Sequence, residues 1–544
     1  TLFERILTAR GLATRAAREA FLQPDYMAVK HDPFLLPDMN KAVARLKQAR
    51  EQGEKIVIYG DYDIDGLSAT ALLLDAFGKF GFKDVDAFIP NRFIEGYGMT
   101  MGAVDKVRDM GADLIVTVDT GSLCHAEIAY ATSLGIDTVV TDHHNVAETP
   151  PPSVAAVNPK FPGHTYPFRD LCGAGVAFKL VQALQTELDG LPDGYEKWLL
   201  DLVALGTVCD IVTLADENRA NVYWGLEVLK KQQRPGLKAL MAVAGIEPEQ
   251  VNARHLGFGL GPRMNAAGRL ETAQHALDML VARDGLAALE ASEKLEELNV
   301  KRRSIQDAIF EEACEQAEEL ADDRVLVVSS GGWNHGVIGI VASKLVEKYK
   351  KPVFIIGERG EEATGSARSF GDFSAADAVR AADDIIIKGG GHGAAAGVTL
   401  ETEKIDDFRR RVNKFYDSLQ LTNQERYLLP RADVEIGDFS EIDEDLVANL
   451  AKMEPFGNGN PEPVLKITAA SVLSARRMGA DGQHVKLALR DKNGKVLQML
   501  AFNAPEEFFR EPGDEVAVWF QPTVNEWQGV RTVEGRLLHV TLLD

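Results

Sequence analysis

From residue 55 onward, short apolar runs alternate with longer stretches whose apolar positions recur at helical spacing. Lys55–Gly60, Val85–Ile89, Leu114–Val118 and Ile136–Thr141 read as buried strands, and Leu67–Phe80, Met101–Met110 and His125–Leu134 as the helices between them. Strands separated by helices of that length need crossover connections, which predicts an α/β fold with a largely parallel sheet. The proline-rich segment Pro150–Pro167 reads as a loop leading into a more helical stretch that runs to about residue 280. Leu286–Leu320 is densely charged, with apolar residues at helical spacing; a coiled coil has that pattern too, but the length suits one helix connecting two units.

A second αβ unit is predicted from 324 to about 420, with strands at Val325–Ser329 and Val353–Gly357 and helices after His335 and after Lys404. Beyond residue 430 the period changes to two, and the turn signals Asp491–Gly494 and Asn525–Gly529 predict a small β-barrel or sandwich. The expected units are therefore 1–280 with an N-terminal lead-in 1–50, a connecting helix 281–323, 324–425, and 426–544. No repeat of fixed period and no low-complexity tract interrupts them.

Composition bounds the picture. The 544 residues are 45% hydrophobic and 26% charged, which excludes a purely disordered chain and leaves room for about three to four domains of ~150 residues each. No segment reaches the roughly 18 to 20 uninterrupted apolar residues of a membrane span. Trp198–Ala215 is broken by Asp201 and Asp210, and Val325–Ser343 by the run Ser329–Gly336. The N-terminus has no signal pattern, so a soluble, cytoplasmic chain is expected, and because it begins with Thr1 rather than Met, native residues are expected to precede it. Cys124, Cys172, Cys209 and Cys314 lack CxxC spacing and suit small core positions in a reducing compartment. The net charge of -23, from 82 Asp and Glu against 59 Lys and Arg, argues on its own against a polyanionic partner.

The placement of the ionisable residues changes that reading. The first predicted strand runs into Gly60-Asp61-Tyr62-Asp63-Ile64-Asp65-Gly66, the third into Asp119-Thr120-Gly121, and the fourth into Asp142-His143-His144. In an open parallel sheet functional groups gather beyond the carboxyl ends of the strands, so these clusters are expected to converge in one crevice. Asp210, closing the apolar run Leu202–Cys209, reads as a fourth strand end that joins them. A single Asp after a strand is most often a helix cap or turn residue, but four such sets are hard to explain that way. Carboxylates this crowded cannot all ionise without a cation. Hard oxygens with imidazole and no thiolate suit Mn²⁺ or Mg²⁺, the histidine favouring Mn²⁺, and fit zinc less well. Two ions addressed by the Asp-x-Asp turn and bridged by Asp119 would serve hydrolysis of a phosphate ester or anhydride.

Asp142-His143-His144, with Asp61 to Gly66 and Asp119 to Gly121 upstream, resembles the DHH phosphoesterase superfamily. Pro90–Gly98, Leu202–Asp210, Gly259–Arg269 and Gly389–His392 extend the likeness in family order over about residues 50 to 400, toward its single-strand-specific 5′ to 3′ DNA exonucleases. The resemblance implies a parallel-sheet DHH domain, a long connecting helix, a smaller DHH-associated α/β domain and a C-terminal OB-like barrel. It also implies two Mn²⁺ ions, one held by Asp63 and Asp119 with Asp61 or water completing it, the other by Asp65, Asp119, His143 and Asp210. Which of Asp61 and Asp63 binds directly stays open. His144 would face the phosphate, and Asp142 would orient the imidazoles. Thr120 stands where the family usually has Asn, and Ala367 where it has Gly; neither change removes a ligand. The chain ends soon after the barrel, so a further C-terminal interaction domain known in some relatives is expected to be absent.

Arg92, Arg263, Arg269 and Arg368 offer bidentate forks for phosphate, and Asn265 and Ser366 neutral donors, in stretches such as Gly259–Arg269 and Thr364–Ser369 that read as Gly-containing loops. Any one surface arginine is as often merely solvated. Gly389–Gly397 permits close backbone approach to an anion, and the resemblance makes Gly391 and His392 part of a phosphate-binding element. Tyr97 suits stacking on a base or packing within its loop. Trp527, Arg476, Arg477 and Lys486 are candidate strand contacts in the barrel, although a hairpin Trp is most often packing.

The implied reaction is Mn²⁺-dependent release of 5′-mononucleotides from single-stranded DNA in repair and recombination, with Mg²⁺ as the alternative ion; the direction comes from the resemblance alone. The alternatives are a phosphodiesterase for short oligonucleotides or nucleotide second messengers, and a scaffold without catalysis, against which the full ligand set argues. The expected partners are single-stranded DNA, a single-strand-binding protein and a helicase, with no membrane, and the chain is expected to act as a monomer. On this reading part of the -23 is the metal site counted without its ions, and the arginines predict a basic channel inside an acidic shell.

Overall fold

A computed structural model of the chain describes residues 1–96, 98–422 and 424–543. The first sheet comprises β1 (Lys55–Gly60), β2 (Asp84–Phe88), β3 (Leu114–Val118), β4 (Asp137–Thr141) and β5 (Ala155–Val157), in the order β2-β1-β3-β4-β5 with every pair parallel. Helices cover both faces, Met39–Gln52, Ile64–Phe80 and Gly173–Glu187 on one and Met101–Asp109 and His125–Ser133 on the other. That double cover is why β1, β3 and β4 read as continuous apolar runs. β2 was expected to be buried like them but is the half-exposed edge strand, with a neighbour on one side only. Pro150–Pro167, expected to be loop throughout, contains β5, whose three residues close the opposite edge.

The chain leaves β1 toward β2 on one side, while β3 adds on the other, so the strand order reverses between β1 and β3. Such a switch point opens a crevice at the carboxyl ends of the two strands. The helix after β1 starts at Ile64 rather than Leu67, because the Asp63 side chain caps it, accepting from the backbone N–H of Asp65 at 2.9 Å and of Gly66 at 3.2 Å. Leu200–Cys209, expected to end as a strand, is a helix packed on all sides, and its all-round apolar composition hides the helical period. Gly259–Arg269 is likewise helical rather than a loop: a wide turn over Leu256–Leu260 continues into the helix Gly261–Leu270. Gly285–Glu319 is one connecting helix of 35 residues.

The second sheet, β6 (Leu326–Gly331), β7 (Val353–Arg359), β8 (Glu362–Arg368), β9 (Lys388–Gly391) and β10 (Ala395–Glu401), has the order β6-β7-β8-β10-β9, and only β6 and β7 are parallel. Thr364–Ser369, expected as a loop, falls almost wholly in β8. Its inward residues are Ala363, Gly365 and Ala367, too small to register as an apolar alternation.

The last unit is a barrel of β12 (Leu465–Met478), β13 (His484–Arg490), β14 (Val496–Ala501), β15 (Glu515–Trp527) and β16 (Val530–Leu542), closed by β12 pairing β15, with β11 (Val434–Ile436) added beside β12. Gln528 and Gly529 turn β15 into β16 with φ of 50° and 78°, the double positive of a two-residue hairpin. The lead-in divides: Leu2, Ile6 and Leu7 lie in the barrel core, whereas Met39–Gln52 packs on the first sheet. Among the described residues no helix is long and apolar enough to cross a membrane.

Candidate metal centre and arginine cluster

The strand register brings the acidic clusters together. Gly60 pairs with Val118 and Val118 with Thr141, so β1, β3 and β4 end level. The ladder runs one residue further, the N–H of Asp61 donating to the Val118 carbonyl at 3.3 Å, that of Asp119 to Thr141 at 3.1 Å and that of Asp142 to Val157 at 3.1 Å. Asp119 turns out of the ladder with φ 61°. The N-terminus of the helix Gly173–Glu187 presses against it so closely that a Cβ on Gly173 would lie 2.5 Å from the Asp119 Cβ. Two backbone N–H groups of that helix end, Gly173 at 2.5 Å and Ala174 at 2.8 Å, donate to the Asp65 carboxylate. Asp210 arrives from the C-terminus of Leu200–Cys209, a helix end rather than a strand end.

His143 sits at the centre. Its Nε2 lies 3.0 Å from Asp119 Oδ1, 3.6 Å from Asp210 Oδ2 and 3.7 Å from Asp65 Oδ2. Three overlapping sets offer ligand atoms within 4.8 Å of one another: Asp61, Asp63 and Asp119; Asp65, His143 and Asp210; and Asp119, His143 and His144. Asp142 is engaged by protein donors instead, accepting from the N–H of Ser122, His143 and His144 and from Nδ1 of His144 at 2.9 Å.

Burial sets the ionisation of this cluster. It raises Asp61 to about 7 and Asp65 to about 6, each with the charge of Asp63 adding, and Asp210 to about 8 with Asp65 and Asp63 adding. Asp119 is driven well above the carboxylate range by burial and then by Asp65, Asp63 and Asp61. Burial also pushes Asp142 up, yet the hydrogen bond and charge of His144 and the Ser122 N–H hold it at about 2. Burial and the neighbouring His144 lower His143 to about 4, whereas Asp142 lifts His144 to about 9 against its own burial. A neutral His143 suits metal ligation and a charged His144 suits an anion. Asp61 Oδ1, Asp119 Oδ1 and His143 Nε2 are buried with no hydrogen-bond partner. Native folds leave few such atoms, and divalent cations bound in these overlapping sets would satisfy them, in a donor set of oxygens and imidazole that fits Mn²⁺ or Mg²⁺.

A second cluster carries the opposite charge. Arg92 stacks on the Tyr62 ring at 4.6 Å and donates to its hydroxyl at 3.0 Å, which places a guanidinium beside the residue between Asp61 and Asp63. Arg269 donates to the Gly336 carbonyl at 2.8 Å, joining the first unit to the second. Burial lowers its pKa to about 10, and Arg92, Arg302 and Arg368 add to the shift, so four cations share this junction. Arg368 reaches Ser366 Oγ at 3.3 Å. Arg302 was not anticipated from the sequence. Its signal is a charged residue at the buried-face spacing of Leu295, Leu298 and Ile309, held by Asn299 at 2.8 Å and Gln306 at 2.9 Å.

Other expected contacts fall elsewhere. Arg263 is committed to Glu296 of the connecting helix at 2.5 Å and to the Gly259 carbonyl at 2.8 Å, because its helix packs there. Gly391 ends β9 and His392 begins the exposed turn into β10, two strands across from Arg368 at the same end of the sheet. Tyr97 lies outside the described residues. In the barrel Trp527 is 72% exposed at the β15–β16 tip, while Arg477 pairs with Glu506 at 2.5 Å and Lys486 with Glu534 at 3.0 Å. A cleft of about 720 Å³ opens between the first unit and the barrel. Its lining includes Ile64 and Ile211, chain neighbours of Asp63 and Asp210, with Asn265, the 80% exposed Phe258, and Phe456 and Arg536 of the barrel.

Residues 55–207 match the DHH family N-terminal domain, 322–418 the DHHA1 domain and 432–539 the RecJ OB domain. The single-stranded-DNA-specific exonuclease RecJ of Bacillus subtilis (strain 168) is 38% identical over 97% of this chain, which spans 66% of that protein's length. RecJ of Dickeya dadantii (strain 3937) is 35% identical over 99% of this chain and 96% of its own. The crystal structure of RecJ from Thermus thermophilus in complex with Mn²⁺ superposes with a TM-score of 0.81 at 31% identity, over 99% of this chain and 76% of that one. The same protein in complex with Mg²⁺ gives 0.76 at 28% identity, over 98% and 74%. With three family models matched in this order and a relative covered almost from end to end, the chain belongs to the RecJ family of DHH proteins.

Proposed function

We propose that this protein is a divalent-metal-dependent exonuclease that degrades single-stranded DNA from its 5′ end to 5′-mononucleotides by phosphodiester hydrolysis. The observation that carries the proposal is the meeting of a cluster of buried carboxylates with a cluster of arginines. Buried carboxylate oxygens without partners need cations, and four arginines at one junction need an anion. Tyr62, packed under Arg92 and placed in the chain between Asp61 and Asp63, joins the two. A phosphodiester with its metal ions meets both needs.

Asp65, His143 and Asp210 would hold one ion, Asp61 and Asp63 the other, and Asp119 would serve both. Asp63 spends one oxygen on capping its helix, while Asp61 Oδ1 is buried and unpartnered, which favours direct binding by Asp61 as well. When bound, Mn²⁺ or Mg²⁺ supplies Lewis-acid polarisation of the phosphate and activation of water. Asp142 fixes the His144 ring through Nδ1 and keeps it charged, so that this imidazolium faces a phosphate oxygen. Arg92, Arg269 and Arg368 grip phosphate, with Ser366 a neutral donor beside Arg368. The cleft lets unpaired bases run toward the barrel over Phe258, an arrangement suited to long single strands rather than dinucleotides.

Such an enzyme works in the cytoplasm as a monomer, since one chain supplies every group named. A single-strand-binding protein and a helicase are the protein partners that would present its substrate. The test is digestion of single-stranded DNA labelled at the 5′ or the 3′ end, with Mn²⁺ and with EDTA. Metal-dependent release of labelled mononucleotide from the 5′ end at once, and from the 3′ end only late, is expected. Cleavage confined to dinucleotides would favour the small-substrate phosphodiesterase instead.

A further inference from the structure

The barrel domain contributes a segment that contacts the chain directly after Asp210, and the proposed mechanism does not use it. Directly after Asp210 the chain takes a left-handed residue, Ile211, with φ 59° and 69% exposure. A β-branched side chain at positive φ is a backbone outlier that surrounding structure must hold in place. The first unit holds the middle of this turn, Asp170 accepting from the Thr213 N–H at 3.1 Å and Asn218 donating to the Thr213 carbonyl at 3.0 Å, and another domain holds its two ends. Asn458, in the segment Pro455–Asn460 that precedes β12, donates from Nδ2 to the Ile211 carbonyl at 2.8 Å, and its own carbonyl accepts from the Leu214 N–H at 2.8 Å. One barrel residue therefore grips both ends of Ile211–Leu214.

That barrel segment is itself rigidly anchored. Asn460 donates to the carbonyls of Met453 at 2.9 Å and Pro455 at 2.8 Å, and accepts from Arg10 at 2.9 Å. Buried Arg219 donates to the carbonyls of Met453 at 3.1 Å and Glu454 at 2.9 Å. The fit is tight enough that a Cβ on Gly459 would lie 2.5 Å from Thr213 Cγ2. We infer that Asn458 is a positioning residue for Asp210: the barrel clamps the strained turn that aims this carboxylate at His143, so the domain suited to the DNA strand also sets the metal site. The inference rests on the reading of Asp210 as a metal ligand. It gives the barrel a role in hydrolysis that does not depend on substrate length.

The test is Mn²⁺ binding by the full chain, followed through the electron paramagnetic resonance signal of free Mn²⁺, beside the Mn²⁺ dependence of single-strand hydrolysis. Asn458→Ala is expected to weaken the binding of one Mn²⁺ about tenfold, as loss of groups supporting metal ligands does. Asn458→Asp keeps the shape without the donor and should behave alike. Ile211→Asn places a residue type tolerant of left-handed backbone at the turn. Alone it should keep the wild-type Mn²⁺ affinity, and combined with Asn458→Ala it should restore most of the lost affinity, a rescue that general loosening of the barrel would not give. Asp210→Ala should remove one Mn²⁺ site. No loss in Asp210→Ala overturns the ligand reading, whereas loss there with Mn²⁺ affinity intact in Asn458→Ala and Asn458→Asp overturns the inference alone.

Discussion

Replacing Asp119 with Asn should stabilise the metal-free protein while abolishing its response to metal. Asp119 shares a space with Asp61 and Asp63 in which ligand oxygens lie within 4.8 Å of one another. Two unit charges at that distance repel by about 3 kcal/mol at an effective dielectric of 20. Partial protonation relieves part of this, so removing one charge should gain about 1 to 2 kcal/mol, an upward shift of about 2 to 6 °C for a unit of this size. Asn accepts the left-handed backbone of position 119 without added strain. The sign with pH follows from the raised carboxyls. Folded Asp61, Asp65 and Asp210 hold protons up to about 7, 6 and 8, whereas unfolded carboxyls release theirs near 4. The folded state thus binds more protons across that window, and stability falls as pH rises from about 4 through about 8. Thermal unfolding in EDTA should show the gain of Asp119→Asn at pH 8 and a smaller gain at pH 6. Mn²⁺ at a hundred times its dissociation constant should stabilise the wild type by about 2.7 kcal/mol and the variant far less. Equal stabilisation of both by Mn²⁺, or a variant less stable than the wild type in EDTA at pH 8, would refute the reasoning.

Three further outcomes are expected. Arg368→Met should lower kcat/KM on single-stranded DNA about 10- to 100-fold through loss of charge-assisted phosphate bonds, while Arg263→Met, whose wild-type partner is Glu296, should affect thermal stability and leave kcat/KM nearly unchanged; equal losses in steady-state assays would contradict the assignment of the arginines. Phe258→Ala should weaken binding of long single strands, measured by fluorescence anisotropy in EDTA, by about 1 kcal/mol or more, with no change for a trinucleotide. Gly173→Ala puts a Cβ 2.5 Å from that of Asp119 and should abolish Mn²⁺-dependent hydrolysis; retention of wild-type rates would mean that the Asp119 position is not critical.

The central sheet was legible because strands covered on both faces must be apolar throughout, and because the order of clusters after β1, β3 and β4 translates directly into neighbours at one sheet edge. The elements that escaped had no such signal. β8 buries only Ala363, Gly365 and Ala367, so its period-two pattern carries almost no hydrophobic contrast. Leu200–Cys209 is apolar on every side, and a fully buried helix of that length cannot be told from a strand by periodicity. Of the lead-in, Leu2, Ile6 and Leu7 form an ordinary amphipathic stripe, and nothing local says that the surface they cover belongs to a barrel more than four hundred residues away.

The candidate site divides along a similar line. Carboxylates announce a metal centre in sequence because their crowding is itself the anomaly: Asp61, Asp63 and Asp65 stand two apart, and no ordinary surface needs them so close. Arginines carry no comparable mark, since the same side chain serves as a phosphate fork, a carboxylate partner or a tether between backbones. Burial and partners decide among these roles. Arg263 stands six residues before Arg269 on one helix, yet it pairs with Glu296 while Arg269 donates to the Gly336 carbonyl within the field of three other guanidinium groups. Arg219 spends its charge on barrel carbonyls, and Arg302, on the buried face of the connecting helix, belongs with Arg92 and Arg368. A net charge of -23 says nothing about such a junction. On the proposed reading, the potential at this junction is set by these few cations rather than by the sum over the chain, because burial leaves their field less screened by solvent.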